Sequence, residues 1–168
     1  AESKPSQGST FTARIRLPAA PADSLHEPSS APTTQPALSS RRLRVLVAED
    51  NALNRRLTAA VLQRLGHEAV FAENGTQAVD HVRREKFDVV LMDLQMPEMD
   101  GLTATSVIRS EEKTHARPRL PIIALTADAM ETDRERCFQA GMDDYLVKPL
   151  DLPRFRAALD RVAEKFHV

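Results

Sequence analysis

Leu43-Arg44-Val45-Leu46-Val47-Ala48-Glu49-Asp50-Asn51, with Leu53, Leu57, Val61 and Leu65 after it, decides how the chain is read. Residues 43–48 form a short apolar run, read as a buried strand. The apolar residues that follow recur every fourth position, the repeat of one helix face, and Gly66 ends that helix. The same strand-then-helix unit then repeats. Glu68-Ala69-Val70-Phe71-Ala72 is a second strand, and Asn74-Gly75 turns into a helix carrying Ala78, Val79 and Val82. Val89-Val90-Leu91-Met92 is a third strand, with a helix after Gly101 bearing Leu102, Val107 and Ile108. Pro121-Ile122-Ile123-Ala124-Leu125 is a fourth, followed by a helix from about Ala129 to Ala140. Tyr145-Leu146-Val147 is a fifth, and Leu152, Phe155, Leu159, Val162 and Phe166 stripe the last helix. Strands alternating with helices in this way predict an α/β domain with a five-stranded parallel sheet covered on both faces. For a domain of about 125 residues the doubly wound order 2-1-3-4-5 is the economical choice.

Outward from this core the composition changes. Pro, Ala, Ser and Thr supply 17 of the 23 residues from Pro18 to Ser40, without Phe, Tyr, Trp, Lys or Arg. Such a segment buries too little apolar surface to offset its ordering entropy and reads as a flexible linker. Ahead of it, Gly8-Ser9-Thr10-Phe11-Thr12-Ala13-Arg14-Ile15-Arg16-Leu17 alternates apolar and polar residues, as a strand does, with no partner strand evident nearby. The expected divisions are therefore a terminal strand in residues 1–17, a linker over 18–41 and a folded domain over 42–168.

The whole chain of 168 residues carries 23 Lys and Arg against 24 Asp and Glu. A near-neutral balance gives no electrostatic footprint for nucleic acid or an anionic membrane. No apolar run approaches the roughly 18–20 residues that span a bilayer, and no apolar signal-peptide core opens the chain. Cys137 is the only cysteine, which excludes an internal disulfide and fits a reducing compartment. A cytoplasmic location is expected, with any membrane anchor in upstream segments of a parent protein. Aromatic residues make up 4% of the chain, so the core must be mainly aliphatic.

Ligands of a doubly wound sheet bind beyond the carboxyl ends of its strands. Strand one there ends in Glu49-Asp50, strand three in Asp93, strand four in Thr126 and strand five in Lys148-Pro149. Each of these residues alone could be a helix cap or a solvated charge. Together at one edge they are hard to explain that way. Carboxylates from two neighbouring strands repel one another unless a cation lies between them, and hard oxygen ligands suit Mg²⁺, with Mn²⁺ as the alternative. A lysine and a hydroxyl opposite would hold phosphoryl oxygens.

Glu49-Asp50-Asn51, Leu91-Met92-Asp93-Leu94-Gln95-Met96-Pro97-Glu98-Met99-Asp100-Gly101, Thr126-Ala127 and Lys148-Pro149 resemble the receiver (response regulator) domain of two-component signalling, over residues 42 to about 166. The stretch Pro121 to Met130 is similar to receivers attached to hybrid sensor kinases, and Gly8-Ser9-Thr10-Phe11 with the strand after it resembles the end of a histidine-kinase ATP-binding domain. The resemblance implies a flavodoxin-like receiver fold at the C-terminus of a hybrid histidine kinase, cut within its ATPase domain and unable to bind ATP by itself. It implies that Asp93 is the phosphoacceptor, and that Glu49, Asp50, Asp93 and the backbone carbonyl of Gln95 hold Mg²⁺. Lys148 would bridge to the phosphoryl oxygens, next to a cis peptide at Pro149. Thr126 and Tyr145 would act as the switch, and Gln95 and Asp128 would tune hydrolysis. The implied donor is the dimerisation and phosphoacceptor domain of the parent kinase. The implied acceptor is a histidine phosphotransfer domain, met along the first helix and the Lys148-Pro149-Leu150 loop. The piece itself would only take up and lose a phosphoryl group at Asp93.

Two other readings compete. A phosphohydrolase of the dehalogenase type needs a second Asp two residues after its nucleophile, and Gln95 stands there instead. An interaction domain that only docks on a kinase core has no need of a complete acidic site. His26, His67, His81, His115 and His167 lack mutual metal spacing and read as surface residues, and Cys137 reads as semi-buried packing. Met92, Met96 and Met99 read as packing, Arg134-Glu135-Arg136 as a solvated helical run, and Arg109 to Arg119 as a long polar loop.

Overall fold

The computed structural model describes residues 2–4, 8–10, 42–127 and 131–166. The chain divides into two units, Ala1–Gln35 and Pro36–Val168. In the first, β1 (Glu2–Lys4) pairs antiparallel with β2 (Gly8–Thr10), Lys4 opposite Gly8. The strand expected from Gly8 thus has a partner immediately upstream. Glu2-Ser3-Lys4 is wholly polar, so the pairing rests on backbone hydrogen bonds and leaves no apolar alternation to read. The remainder of that expected strand, from Phe11 to Leu17, lies outside the described residues, as do the linker and His26.

The second unit runs β3 (Arg44–Ala48), α1 (Ala52–Arg64), β4 (Glu68–Ala72), α2 (Gly75–Arg84), β5 (Val89–Asp93), α3 (Gly101–Thr114), β6 (Ile122–Thr126), α4 (Glu131–Ala140), β7 (Asp144–Val147) and α5 (Leu152–Phe166). The sheet is parallel throughout, in the order β4-β3-β5-β6-β7, which is 2-1-3-4-5 counted from β3. Because side chains alternate across a strand, odd and even positions build separate cores. Val45, Val47, Leu91, Ile123 and Leu125 pack with Leu62, Phe155 and Leu159 of α1 and α5. Leu46, Val90, Met92, Ile122 and Ala124 pack with Ala78, Val79, Ala104, Ile108 and Cys137 of α2, α3 and α4. Among the described residues Phe155 is the one aromatic residue in either buried cluster, so the core is aliphatic as composition requires. Burial raises the Cys137 thiol pKa, which keeps it protonated and suits a packing role.

Two expectations need correction. The segment read as a polar loop from Arg109 is helical as far as Thr114. Arg109 is buried, and its guanidinium donates to the Glu112 carboxylate at 2.7 Å, Asp143 Oδ2 at 2.9 Å, and the carbonyls of Gly141 and Leu120 at 2.9 and 2.8 Å. Asp143, its side chain 3% exposed, also accepts from the Ile122 amide and from Arg119. The charges that suggest a solvated loop are consumed internally, joining the end of α3 to the lead-in of β6 and the turn before β7. His67 is likewise no surface residue. It is 8% exposed between α1 and β4, where its Nδ1 accepts the Leu43 amide proton at 3.3 Å.

Arg109→Met should therefore cost about 3 kcal/mol in chemical denaturation, because it strands the buried Asp143 carboxylate. A loss under about 1 kcal/mol would show that water or Arg119 replaces the guanidinium. Burial holds the His67 imidazole below its usual pKa, against the pull of Asp160 and Asp88. The unfolded chain then takes up a proton near pH 6.5 and the folded one only lower, so stability is complete above that pH and declines as pH falls below it. The decline in Tm between pH 7 and 5 should flatten in His67→Asn; an unchanged slope would assign it to other groups.

Candidate functional site

Every residue predicted for the site that the structure describes, Tyr145 excepted, lines or adjoins one cleft of about 760 Å³ at the carboxyl edge of the sheet. The strand ends are brought there by the parallel register, in which Ala48 lies opposite Met92 and Thr126 opposite Val147. Chain turns immediately beyond the strands are fixed by caps. Asn51 accepts the Leu53 and Asn54 amide protons at the start of α1, and Asp100 accepts that of Thr103 at the start of α3. Capping therefore does not account for Glu49, Asp50 or Asp93. Gly101 lies so close behind Asp93 that a Cβ there would fall 2.1 Å from the Asp93 carbonyl oxygen, and only glycine permits that approach.

Glu49 is 1% exposed and Asp93 is buried, whereas Asp50 faces solvent. Carboxylate oxygens of the three lie within 4.8 Å of one another. The Lys148 ammonium bridges two of them, donating to Glu49 Oε2 at 2.5 Å and to Asp93 Oδ2 at 2.6 Å. Asp93 Oδ1 accepts the Gln95 amide proton at 3.2 Å. Burial raises the Asp93 pKa above the ordinary carboxylate value, and nearby Glu49 pushes the same way against Lys148 and the Gln95 amide. Burial also works against the charge on Lys148, but hydrogen bonds to Asp93 and Glu49 outweigh it and hold its pKa above that of free lysine.

Lys148 is held in turn by its own amide, which donates to the Thr126 carbonyl at 2.7 Å, and the Lys148–Pro149 peptide is cis. Thr126 is buried at the end of β6, at the wall of the cleft. Gln95 is exposed at its rim. Tyr145 does not line the cleft. It lies half-buried on β7, its ring edge-on to Phe138 with centroids 6.5 Å apart and the Arg134 guanidinium 5.6 Å above it. Arg134 is exposed, as the solvated run predicts, and its guanidinium also lies 5.8 Å from the Phe138 ring centroid. Asp128 lies outside the described residues.

Sequence reasoning passed over Asn54 and Arg55, and took Arg136 only as part of a solvated helical run. Asn54 donates to Glu49 Oε1 at 2.8 Å, Arg55 donates to the Glu49 and Asp50 carbonyls, and Arg136 of α4 lines the cleft. On a helix each looks like an ordinary solvent-facing polar residue. The signal that could have found the first two is position, since the opening turn of a helix that follows a strand directly must overhang the strand's end.

The response regulator receiver domain family matches residues 45–160. The sensor protein GacS of Pseudomonas syringae pv. syringae is 50% identical over 115 residues, which make up 68% of this chain and 13% of that protein. Hybrid signal transduction histidine kinase G of Dictyostelium discoideum is 42% identical over 125 residues, 73% of this chain and 4% of that protein. The chain thus spans a small fraction of the length of these curated relatives. Among solved structures, the receiver domain of a Pseudomonas aeruginosa sensor histidine kinase, with a magnesium ion coordinated in its active-site cleft, is 41% identical. It superposes with a TM-score of 0.62, over 75% of this chain and 98% of that one. The receiver domain of a Saccharomyces cerevisiae response regulator, crystallised with a histidine phosphotransfer signalling protein, is 30% identical with a TM-score of 0.66, over 74% of this chain and 89% of that one. With its order of strands, its acidic edge and a family match across most of its length, this chain belongs to the response regulator receiver domains.

Proposed function

We propose that Asp93 accepts a phosphoryl group from the phosphohistidine of a kinase's dimerisation and phosphoacceptor domain and passes it to a histidine phosphotransfer domain. The observation that carries this reading is the Lys148 ammonium bound at once to Glu49 and Asp93 at the mouth of an open cleft. A carboxylate oxygen of Asp93 attacks phosphorus, the P–N bond breaks, and the imidazole nitrogen keeps the electron pair. Glu49, Asp50, Asp93 and the Gln95 carbonyl would hold Mg²⁺ or Mn²⁺. Three carboxylates against one ammonium leave two negative charges within a few ångströms, an oxygen-only donor set suited to a hard divalent ion. When bound, the ion would neutralise charge on the transferring group. Lys148 then meets the phosphoryl oxygens, Thr126 turns its hydroxyl to them, and Tyr145 leaves Phe138 and Arg134 to follow. Gln95 and Asp128, each two residues beyond a strand end, tune how fast water reaches phosphorus.

The partner face is α1 and the loop after β7. Leu53 and Leu57 are 64% and 59% exposed there, beside an apolar groove walled by Val61, Pro149 and Leu150. Their apolar surface suits the helices of a phosphotransfer domain, the kind of partner held by the yeast receiver. Residues 42–168 form the receiver in this reading, 18–41 the linker, and 1–17 the last strand of a kinase ATP-binding domain. The parent is a cytoplasmic or membrane-anchored hybrid kinase; among the described residues no helix is long and apolar enough to cross a membrane.

Incubation with acetyl phosphate should add one phosphoryl group by intact mass, dependent on Mg²⁺ and absent in Asp93→Asn. Failure to form the adduct, with failure to bind beryllofluoride, would leave the site a docking feature and overturn the relay. The raised Asp93 pKa also has a stability consequence. The fold favours the protonated carboxyl, so stability is lost as pH rises from the ordinary value near 3.9 through the folded one. In EDTA at pH 8, Asp93→Asn should melt above wild type, with the gap closing towards pH 4. A variant that melts lower at pH 8 would show that the Lys148 pair outweighs desolvation.

A further inference from the structure

The first turn of α1 packs against the acidic loop with two side chains that the phosphoryl chemistry does not use. Asn54 donates its amide to Glu49 Oε1 at 2.8 Å, while Glu49 Oε2 is taken by Lys148. Glu49 is therefore held at both oxygens in a buried position, its carboxylate plane fixed between helix and lysine. Arg55 works from behind. Its Nη1 donates to the carbonyls of both Glu49 and Asp50 at 2.8 Å, and its Nη2 to Glu73 Oε1 at 2.7 Å, so the loop after β3 is tied to the loop after β4. Neither residue is a cap of α1, since Asn51 has that role, and neither is needed for the core, since both are only half-buried.

From this arrangement we infer that Asn54 and Arg55 are positioning residues for the divalent-cation site, Asn54 setting the Glu49 carboxylate and Arg55 the backbone that carries Glu49 and Asp50. The inference rests on the cation reading of the acidic cluster given above. Groups that orient a metal's ligands from behind commonly change affinity on the order of 10–100-fold when removed. Arg55 makes the idea sharper because its charge has the wrong sign for a simple electrostatic role. A guanidinium beside a cation site repels the ion, so deleting it should tighten binding if charge were all that mattered. Deleting a positioning group should weaken it.

The test is Mg²⁺ titration of the purified chain, followed by calorimetry and by backbone amide shifts of residues 49–51. Melting curves in EDTA monitor the fold. Asn54→Ala should weaken Mg²⁺ affinity by about 10-fold, with Tm in EDTA close to wild type. Arg55→Ala should weaken it too, whereas Arg56→Ala, which removes the same charge from an exposed neighbour, should leave it unchanged or slightly tighter. With acetyl phosphate, the Mg²⁺ concentration giving half the maximal rate should rise in both positioning variants, while the rate at saturating Mg²⁺ is largely recovered. Wild-type affinity in Asn54→Ala, or tighter binding in Arg55→Ala, would overturn the inference and leave the cation site standing. Absence of Mg²⁺ binding in wild type would overturn both.

Discussion

The ammonium of Lys148 is the contact on which the architecture of the site depends. It gathers carboxylates from the ends of β3 and β5 while its own amide is fixed to the end of β6, so one residue after β7 records the order of four strands. A different strand order would separate these groups by the spacing of neighbouring strands, about 4.8 Å for each position moved. The like-charged pair Glu49 and Asp93 is tolerable in a buried edge only because a cation lies between them. Lys148 alone leaves negative charge in excess, and the proposed divalent-cation site rests on that excess.

The two ends of the sheet treat charge in opposite ways. At the amino edge Arg109, Glu112, Asp143 and Arg119 neutralise one another, with backbone carbonyls and amides completing the network. At the carboxyl edge the three clustered acids outnumber the lysine that bridges two of them, and a cleft opens beside them. The first arrangement fixes where α3 ends and where β6 and β7 begin. The second is costly by itself, and the cost is what binding can relieve. Gly101 belongs to the same economy of space, because its missing side chain lets α3 close against the back of Asp93.

Most of this was legible in the sequence because the signals were local. Buried strands appear as continuous apolar runs, helices as four-residue repeats, and the strand-end acids follow once the sheet is known to be parallel. What escaped was long-range or ambiguous by composition. Arg109 finds Asp143 only after 34 residues of chain, and no local pattern distinguishes its buried guanidinium from a solvated one. His67 looked like a surface imidazole since its acceptor role depends on the Leu43 amide, 24 residues away. Asn54 and Arg55 were hidden for the opposite reason, being so close to the acids they serve that they passed as ordinary helix surface.

If the first turn of α1 sets the ligand geometry, the helix that carries Leu53 and Leu57 outward also carries Asn54 and Arg55 inward, one residue apart. On the proposed reading α1, capped by Asn51, then carries the partner face and the groups that touch the acidic loop on the same helix. Pressure on Leu53 and Leu57 from a docked helix would reach the Glu49 carboxylate and the Asp50 carbonyl directly. A loop bearing the same side chains would absorb such a displacement, whereas a capped helix transmits it. If docking and ligand positioning share the opening turns of α1, as proposed, that is a physical reason for the acid pair to stand immediately before the helix.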